Sequence, residues 1–357
     1  MGATYNSISQ RIGRFKGKML ARAAVQESLA RDGRQEALPA NHGDTYIARR
    51  YLSYGQLSTN ANTANRFFAD GTGDRSAAMV QAHQTAEGIT PESDSLTPMD
   101  VSVVMRQYSC LFAYTDKMAL MHEDNIPVEM KKVNAERLAL VNEQVIYGGL
   151  KGCTNQYFGG SGTTLATVNG KITLPLLRRM AVNLVANHGQ PVNQRLKASP
   201  DFGTEAVMDA FNVYCHSNCE PDIRDLPNFK GVESYASGKP MKNEIGKCER
   251  FRFIIHPDLP EIQDVGAAIG ALGLKSTTGT LIDVYQIVVT AQDAWSQVAV
   301  RGVDSVKIAN IATGRSNDGS DPFGQRGLVG AMWWKAVMIE NHGWMAIANV
   351  GITNLVG

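Results

Sequence analysis

The sequence predicts an α+β fold, and three observations point to it. Helix-period segments and β-rich runs are mixed along the chain without the strand–helix–strand rhythm of a doubly wound sheet. The first hundred residues are poor in core formers. Three of the 4 tryptophans in the 357-residue chain, Trp333, Trp334 and Trp344, fall in one short stretch interleaved with glycine. Large rings bury much area per residue and glycines let backbones approach, so that stretch reads as a packing anchor rather than a nucleophile with its base.

Residues 1–50 carry nine basic side chains (Arg11, Arg14, Lys16, Lys18, Arg22, Arg31, Arg34, Arg49 and Arg50) against four acidic ones (Glu27, Asp32, Glu36 and Asp44), a balance of +5. Their apolar residues are sparse and small, so the segment is expected to order only against something else. Residues 52–98 are dominated by Ser, Thr, Asn, Ala and Gly, with Pro91 and Pro98 near the end. A structureless loop of that length is anomalous inside a compact domain and makes better sense as an excursion lying on a neighbouring molecule.

Regular structure is expected from Val101, where a strand-like run continues through Met105, Tyr108, Leu111 and Tyr114 to Asp116. Pro127 suits a first helical turn. The helix that follows should end at Gly148-Gly149, about 21 residues and roughly 30 Å long. Ile126, Met130, Val133, Leu138, Val141 and Val145 share one arc of it, and Lys132, Glu136 and Glu143 face away. Asn134 and Arg137 intrude on the apolar arc, which implies partial burial. A second helix is capped by Thr173, has Pro175 in its first turn, aligns Leu177, Met180, Ala181, Leu184 and Val185, and stops at His188-Gly189. A third is expected over Thr204 to Tyr214. Phe251–Ile255, Val284–Val289, Val298–Val300 and Val306–Ile311 read as strands.

Composition narrows the function classes. Hydrophobic residues at 43% and charged residues at 19% suit a globular protein, and a formal charge of +1 is not that of a nucleic-acid-coating polycation. The longest apolar run, Val265 to Leu274, is about half the ~20 residues a membrane helix requires. The N-terminal residues contain no apolar core of a secretory signal, and Asn6 stands where a myristoylation motif has Ser or Thr. Five irregularly spaced cysteines (Cys110, Cys153, Cys215, Cys219, Cys248) argue against a disulfide scaffold and for a reducing cytoplasm.

Motifs that carry chemistry mostly fail on spacing. Gly266, Gly270 and Gly273 do not make a dinucleotide loop and read as close-packing positions. Gly170-Lys171-Ile172-Thr173 lacks the Ser/Thr directly after lysine of a phosphate loop and reads as a turn before a helix. Cys215-His216-x-x-Cys219 is the best metal candidate, but zinc wants four ligands and no second pair exists, so buried thiols beside a helix end are the expected reading. Gly159-Gly160-Ser161-Gly162 does not have the glycine spacing of a nucleophile elbow and reads as a flexible loop. No catalytic residue, metal or cofactor is expected.

Landmarks in order carry a family resemblance from about residue 45 to the end. They are Tyr51-Leu52-Ser53-Tyr54-Gly55-Gln56-Leu57, Glu87-Gly88-Ile89-Thr90-Pro91, Gln107-Tyr108 with Tyr114-Thr115-Asp116, and Asp201-Phe202-Gly203-Thr204. Phe229–Ala236, Asn243–Lys247 with the Phe251–Ile255 strand, Arg301-Gly302 and Asp321–Met345 follow. In these the chain resembles the podovirus-typified major capsid proteins of tailed bacteriophages, which have the Hong Kong 97-type fold; Ser109 departs from the glycine expected after Gln-Tyr. The resemblance implies an N-terminal arm (1–45), an extended loop (46–110), a peripheral domain (111–174) with a spine helix (126–150), an axial domain (175–290) and C-terminal strands returning to the core (291–357).

It further implies a non-enzymatic subunit that assembles with itself as hexamers and pentamers around double-stranded DNA. Portal, scaffolding and decoration proteins are the other implied partners, with no membrane. The implied location is the virion capsid, assembled in the host cytoplasm. Packing or interface candidates are Arg49, Arg50, Tyr51, Leu52, Tyr54, Leu57, Phe323, Gln325, Trp333, Trp334 and Trp344. A cellular nanocompartment shell and a cysteine- or metal-dependent enzyme are the alternatives.

Overall fold

A computed structural model describes residues 28–39, 43–52, 80, 84–85, 87–90, 97–122, 124–196, 204–235, 240–270, 273–301, 306–314 and 321–355. In chain order its elements are β1 (Arg34–Pro39), β2 (Thr45–Leu52), β3 (Thr97–Val104), β4 (Arg106–Thr115), α1 (Asp116–Met121), α2 (Ile126–Leu150) and β5 (Gln156–Phe158). Then come α3 (Leu174–Ala186), β6 (Val192–Leu196), β7 (Thr204–Cys215), α4 (Glu220–Arg224), β8 (Phe229–Gly231), β9 (Glu244–Cys248) and β10 (Phe251–Ile255). The last are β11 (Tyr285–Thr290), β12 (Trp295–Arg301), β13 (Val306–Ile311), β14 (Arg326–Ile339) and β15 (Met345–Val350).

One sheet runs β5-β15-β11-β7-β10-β9-β8, with β6 also on β7. Its central strands are buried on both faces, and successive side chains alternate between two cores as strand geometry requires. Phe211, Val213, Phe253, Ile287, Val289 and Ala348 pack with Leu176, Leu177, Met180 and Leu184 of α3. Tyr214, Ile254, Val288, Met345 and Ile347 pack with Ile146, Tyr147 and Leu150 of α2 on the other side. The result is helix, sheet, helix. The second sheet runs β1-β12-β14-β13, with β4 also on β14. There Tyr114, Met118 and Val329 meet Ile126 and Met130 at the beginning of α2. A two-stranded ribbon, β2–β3, stands apart.

Helix α2 therefore has a burial pattern that one arc cannot describe. At about 100° per residue, Ile126, Met130 and Asn134 lie within roughly 80° of one another, whereas Glu143, Ile146, Tyr147 and Leu150 lie on the opposite side. The expected outward-facing Glu143 is completely buried, and Val133, Leu138, Val141 and Val145 are only half-buried. Gly148-Gly149 does not stop the helix, which continues to Leu150. A Cβ on Gly149 would lie 2.8 Å from the Val337 side chain, so this glycine marks close approach of α2 to β14.

Two more expectations are corrected. Residues Thr204–Cys215 are a strand, not a third helix. Their Ala, Met and Glu content favours helix, but β7 sits between β10 and β11 with residues 210–215 all buried, and tertiary pairing overrides propensity. The single run from Val101 to Asp116 is two strands, β3 and β4, parted at Met105, whose N–H goes to the Asp44 carbonyl (2.8 Å). The expected helix from Thr173 to His188-Gly189 is α3, although the Thr173 side chain makes no capping hydrogen bond. The four strands expected from Phe251 onward correspond to β10, β11, β12 and β13.

The fourth tryptophan, Trp295, is the largest fully buried side chain. It opens β12, shares a core with Leu29, Tyr147 and Val288, and is covered by Gly33, where a Cβ would come within 2.5 Å of its ring.

The interior also sets the proton chemistry. Burial pushes the Cys153 thiol up to about 11 and Cys219 up to about 12, and it raises Cys215 and Cys248 as well. Burial pulls His216 and His342 below the ordinary histidine value of 6.5. Each uses Nδ1 to accept a backbone N–H, His216 from Asn218 (3.0 Å) and His342 from Thr154 (3.2 Å).

Three outcomes follow from this packing. Trp295→Ala should lower unfolding free energy by about 3–5 kcal/mol in urea titrations of the unassembled chain. Ellman's reagent should titrate at most one thiol in the native chain, the half-buried Cys110, and all five after denaturation. For the histidines, the unfolded chain takes up protons first, so stability present above the unfolded value is lost as pH falls through it toward the lower folded values. Urea midpoints should drop between about pH 7.5 and about pH 5.5, and His342→Gln should shrink that drop.

Candidate interaction surfaces

Among the described residues, conventional site chemistry does not assemble. Cys215 Sγ lies 3.6 Å from the Ile254 carbonyl inside the sheet, and the His216 ring packs on Tyr285 at 5.4 Å between centroids. Among the described residues no group of three or more His, Cys, Asp or Glu could hold a metal ion. Lys171 Nζ is paired with the buried Asp222 carboxylate at 3.0 Å, so its charge is engaged within the fold. The Gly159–Gly162 segment is pinned, not loose: Ser161 N–H donates to Asn169 Oδ1 (3.0 Å) and Gly159 faces the Gly170 carbonyl with no room for a Cβ. Of the three spaced glycines only Gly266 packs closely, against Ile282; Gly270 (φ +46°) and Gly273 (φ +64°) instead take left-handed turns in open space.

Among the described residues, exposed apolar side chains stand out in three places. The first is the β2–β3 ribbon. Its outer face aligns Ile47, Arg49 and Tyr51 of β2 with Ser102, Asp100 and Pro98 of β3. Arg49 grips Asp100 with Nε at 2.6 Å and Nη2 at 2.8 Å, and those hydrogen bonds hold the carboxyl below its usual range. Ile47, Tyr51 and Val104 are exposed beside that ion pair. Arg50 points the other way and is half-buried, with Nη2 3.1 Å from Met99 Sδ. Leu52 ends β2; Tyr54 and Leu57 lie outside the described residues.

The second place is the far end of the β4–β14 pair. Asp321 accepts the N–H groups of Gln325 (2.9 Å) and Arg326 (2.8 Å), while the Gln325 carbonyl accepts the N–H of Asp116, the first residue of α1. This ties the Asp321–Arg326 turn to α1. Phe323, on that turn, is 82% exposed, and on α1 Leu120 is 81% and Met121 65% exposed. Sequence reasoning picked Phe323 and Gln325 but missed Leu120 and Met121, because a six-residue helix is too short to display a period.

The third place is the strand β13. Every one of its residues is exposed, Ile308 by 78%, and among the described residues β13 pairs only with β14. Val306 and Ile308 overhang α2, leaving a cavity of about 400 Å³ floored by Val329 and Ala331 and walled by Ala135 and Leu138. An unprotected apolar edge is an open template for pairing or packing. The run was legible as a strand; its edge position was not.

The three C-terminal tryptophans do not share one surface. Trp333 is 4% exposed beside Tyr108, with ring centroids 6.0 Å apart. Half-buried Trp334 packs on the Leu38, Met105, Val298 and Ala336 cluster. Trp344 donates from Nε1 to the Asn187 carbonyl (2.7 Å), closing the C-terminal end of α3. All three hold elements of this chain together.

Comparisons with known proteins extend the picture. No family model matches the chain. A major capsid protein of Pseudomonas phage KPP21 is 23% identical over 189 residues, 50% of this chain and 48% of the relative. The match thus spans about half the length of that curated relative. Among solved structures, the capsid of cyanophage P-SCSP1u superposes with a TM-score of 0.56 at 11% identity, covering 96% of this chain and 93% of that one. The capsid of Ralstonia phage GP4 gives a TM-score of 0.56 at 10% identity, over 98% and 100%. With a sheet between α3 and α2, a second sheet along the same helix, and near-complete coverage of phage capsid chains, this chain has the Hong Kong 97-type fold of phage capsid subunits.

Proposed function

We propose that the chain is the major capsid protein of a tailed phage, self-assembling as hexamers and pentamers into an icosahedral shell around double-stranded DNA. The observation that carries this reading is a capsid fold shared over nearly the whole chain, joined to sequence similarity with a phage major capsid protein. A cellular nanocompartment shell is the second reading. The phage assignment is favoured because the sequence match falls on a phage protein. A catalytic role finds no support among the described residues, where the candidate thiols are buried and raised in pKa.

The apolar surface supports the reading physically. Monomeric proteins seldom expose contiguous apolar patches beyond a few hundred Å². Among the described residues, Ile47 and Tyr51, Leu120, Met121 and Phe323, and Ile308 are exposed large apolar side chains on one chain. Each suits an interface that need only be weak singly, because a closed shell multiplies contacts. In this reading the ribbon belongs to the extended loop (46–110), and α2 is the spine of the peripheral domain (111–174). The axial domain (175–290) contains α3 and β6 to β11, and residues 291–357 return to both sheets. The basic arm (1–45), whose residues 28–39 pack on the subunit itself, turns its remaining basic side chains to the inner surface, where they screen DNA phosphates. Portal, scaffolding and decoration proteins are the further partners, and assembly takes place in the bacterial cytoplasm.

Negative-stain microscopy of the purified chain tests the proposal. Closed shells of uniform diameter, copurifying with nuclease-protected DNA when expressed with the rest of the virion proteins, are expected; persistent small monomers would overturn it. Phe323→Ser should cut the yield of closed particles by about tenfold or more while shifting the unfolding free energy of the free subunit by less than ~0.5 kcal/mol.

A further inference from the structure

Residues 28–39 cross the middle of the molecule and touch three of its layers at once. The Glu143 carboxylate on α2, fully buried, accepts three successive backbone N–H groups: Ser28 to Oε1 (3.1 Å), Leu29 to Oε2 (3.1 Å) and Ala30 to Oε1 (2.9 Å). His256 Nε2, also buried, faces Oε2 at 3.5 Å. Because His256 Nδ1 accepts the Asp258 N–H (3.1 Å), a neutral ring carries its proton on the nitrogen turned to Glu143. Two residues on, Asp32 reaches the other way. Its Oδ1 accepts Asn212 Nδ2 on β7 (2.9 Å) and its Oδ2 accepts Thr290 Oγ1 on β11 (3.1 Å).

A second polar chain reinforces the crossing. Lys335 Nζ on β14 donates to Asn142 Oδ1 on α2 (2.5 Å) and to Gln297 Oε1 on β12 (2.7 Å), and Gln297 Nε2 donates to the Ala30 carbonyl (3.0 Å). Gly33 then passes over the Trp295 ring, and β1 joins β12 in parallel from Arg34↔Ser296 to Pro39↔Arg301. Apart from Leu29 and Leu38, the segment contributes no buried apolar side chain. Charge-assisted hydrogen bonds, about twice as strong as neutral ones, thus join Leu29, Leu38 and the β1–β12 pairing in fastening it.

We propose that residues 28–39 are a releasable strap, fastened by Glu143 to α2 and by Asp32 to the sheet containing β7 and β11. Opening it lifts β1 from β12 and draws Leu29 out of the core it shares with Trp295, while the strands of both sheets stay paired. The device does not depend on what the chain assembles with.

Hydrogen exchange on the full-length, unassembled chain tests this. Glu143→Gln can accept fewer of the three N–H groups, and Asp32→Asn loses the charge that Asn212 and Thr290 address. Each should accelerate exchange across residues 28–39 by about tenfold or more, leaving β10 and β15 within about twofold of the parent. Unchanged exchange in the strap in both variants would overturn the proposal. So would an equal acceleration in every strand, which would make the strap inseparable from the cores. If Glu143→Gln does not fold, Asp32→Asn decides by the same criterion.

Discussion

Helix α2 is buried on one side in its first half and on the opposite side in its second, and both sheets depend on that change. Its beginning closes the cluster of Tyr114, Met118 and Val329, and its end closes the cluster containing Val288, Trp295 and Ile347. A rod of 25 residues with one apolar stripe would serve only one of these cores. Sharing the helix makes the two sheets a single mechanical body, and it demands close approach where they meet. Gly149 against Val337 is one such contact and Gly33 over Trp295 another. Neither glycine is there for an unusual backbone angle; each is there because any side chain would collide.

The same sharing explains what could be read from the sequence. The β-rich runs of β10 and β11, buried at nearly every position, and the singly amphipathic α3 stood out because each element's burial is uniform along its length. The α+β class followed from their order. Where two environments compete, the pattern blurs. In α2 the apolar positions wander round the helix, so Glu143 was read as outward although its carboxylate caps a distant backbone turn. In β7 helix-favouring residues are held extended by neighbours on both edges. Trp295 gave no local signal, because its burial depends on Leu29 and Tyr147, far away in the chain.

The interaction surfaces were less legible still. Phe323 and Gln325 were found through a motif resemblance, yet Leu120 and Met121 join them only because the Gln325 carbonyl reaches the start of α1. Ile308 was recognisable as a strand residue, but exposure on an edge is a property of sheet order and not of its six-residue run. Conversely, Trp333, Trp334 and Trp344 looked equivalent in sequence and serve three separate junctions within the chain. A cluster in sequence is a cluster in space only when the intervening chain turns back, and β14 runs extended through that region.

Apolar material is distributed unevenly between the two sheets, and this separates folding from association. Strands β11 and β15 are buried at every position, with even the polar pair Gln286 and Asn349 joined side chain to side chain at 2.9 Å. The β4–β14–β13 region, in contrast, leaves Leu111, Ile308 and Phe323 exposed, and the ribbon leaves Ile47 and Tyr51. Burying such side chains is worth roughly 1.5–3 kcal/mol each, which contacts among the described residues leave largely uncollected. Moving one of them inward would stabilise the single molecule and remove a proposed site of association. A subunit that must first fold alone and then join many copies is expected to keep its folding core and its joining surfaces on different sheets. Helix α2, common to both, is the element that packs on each sheet.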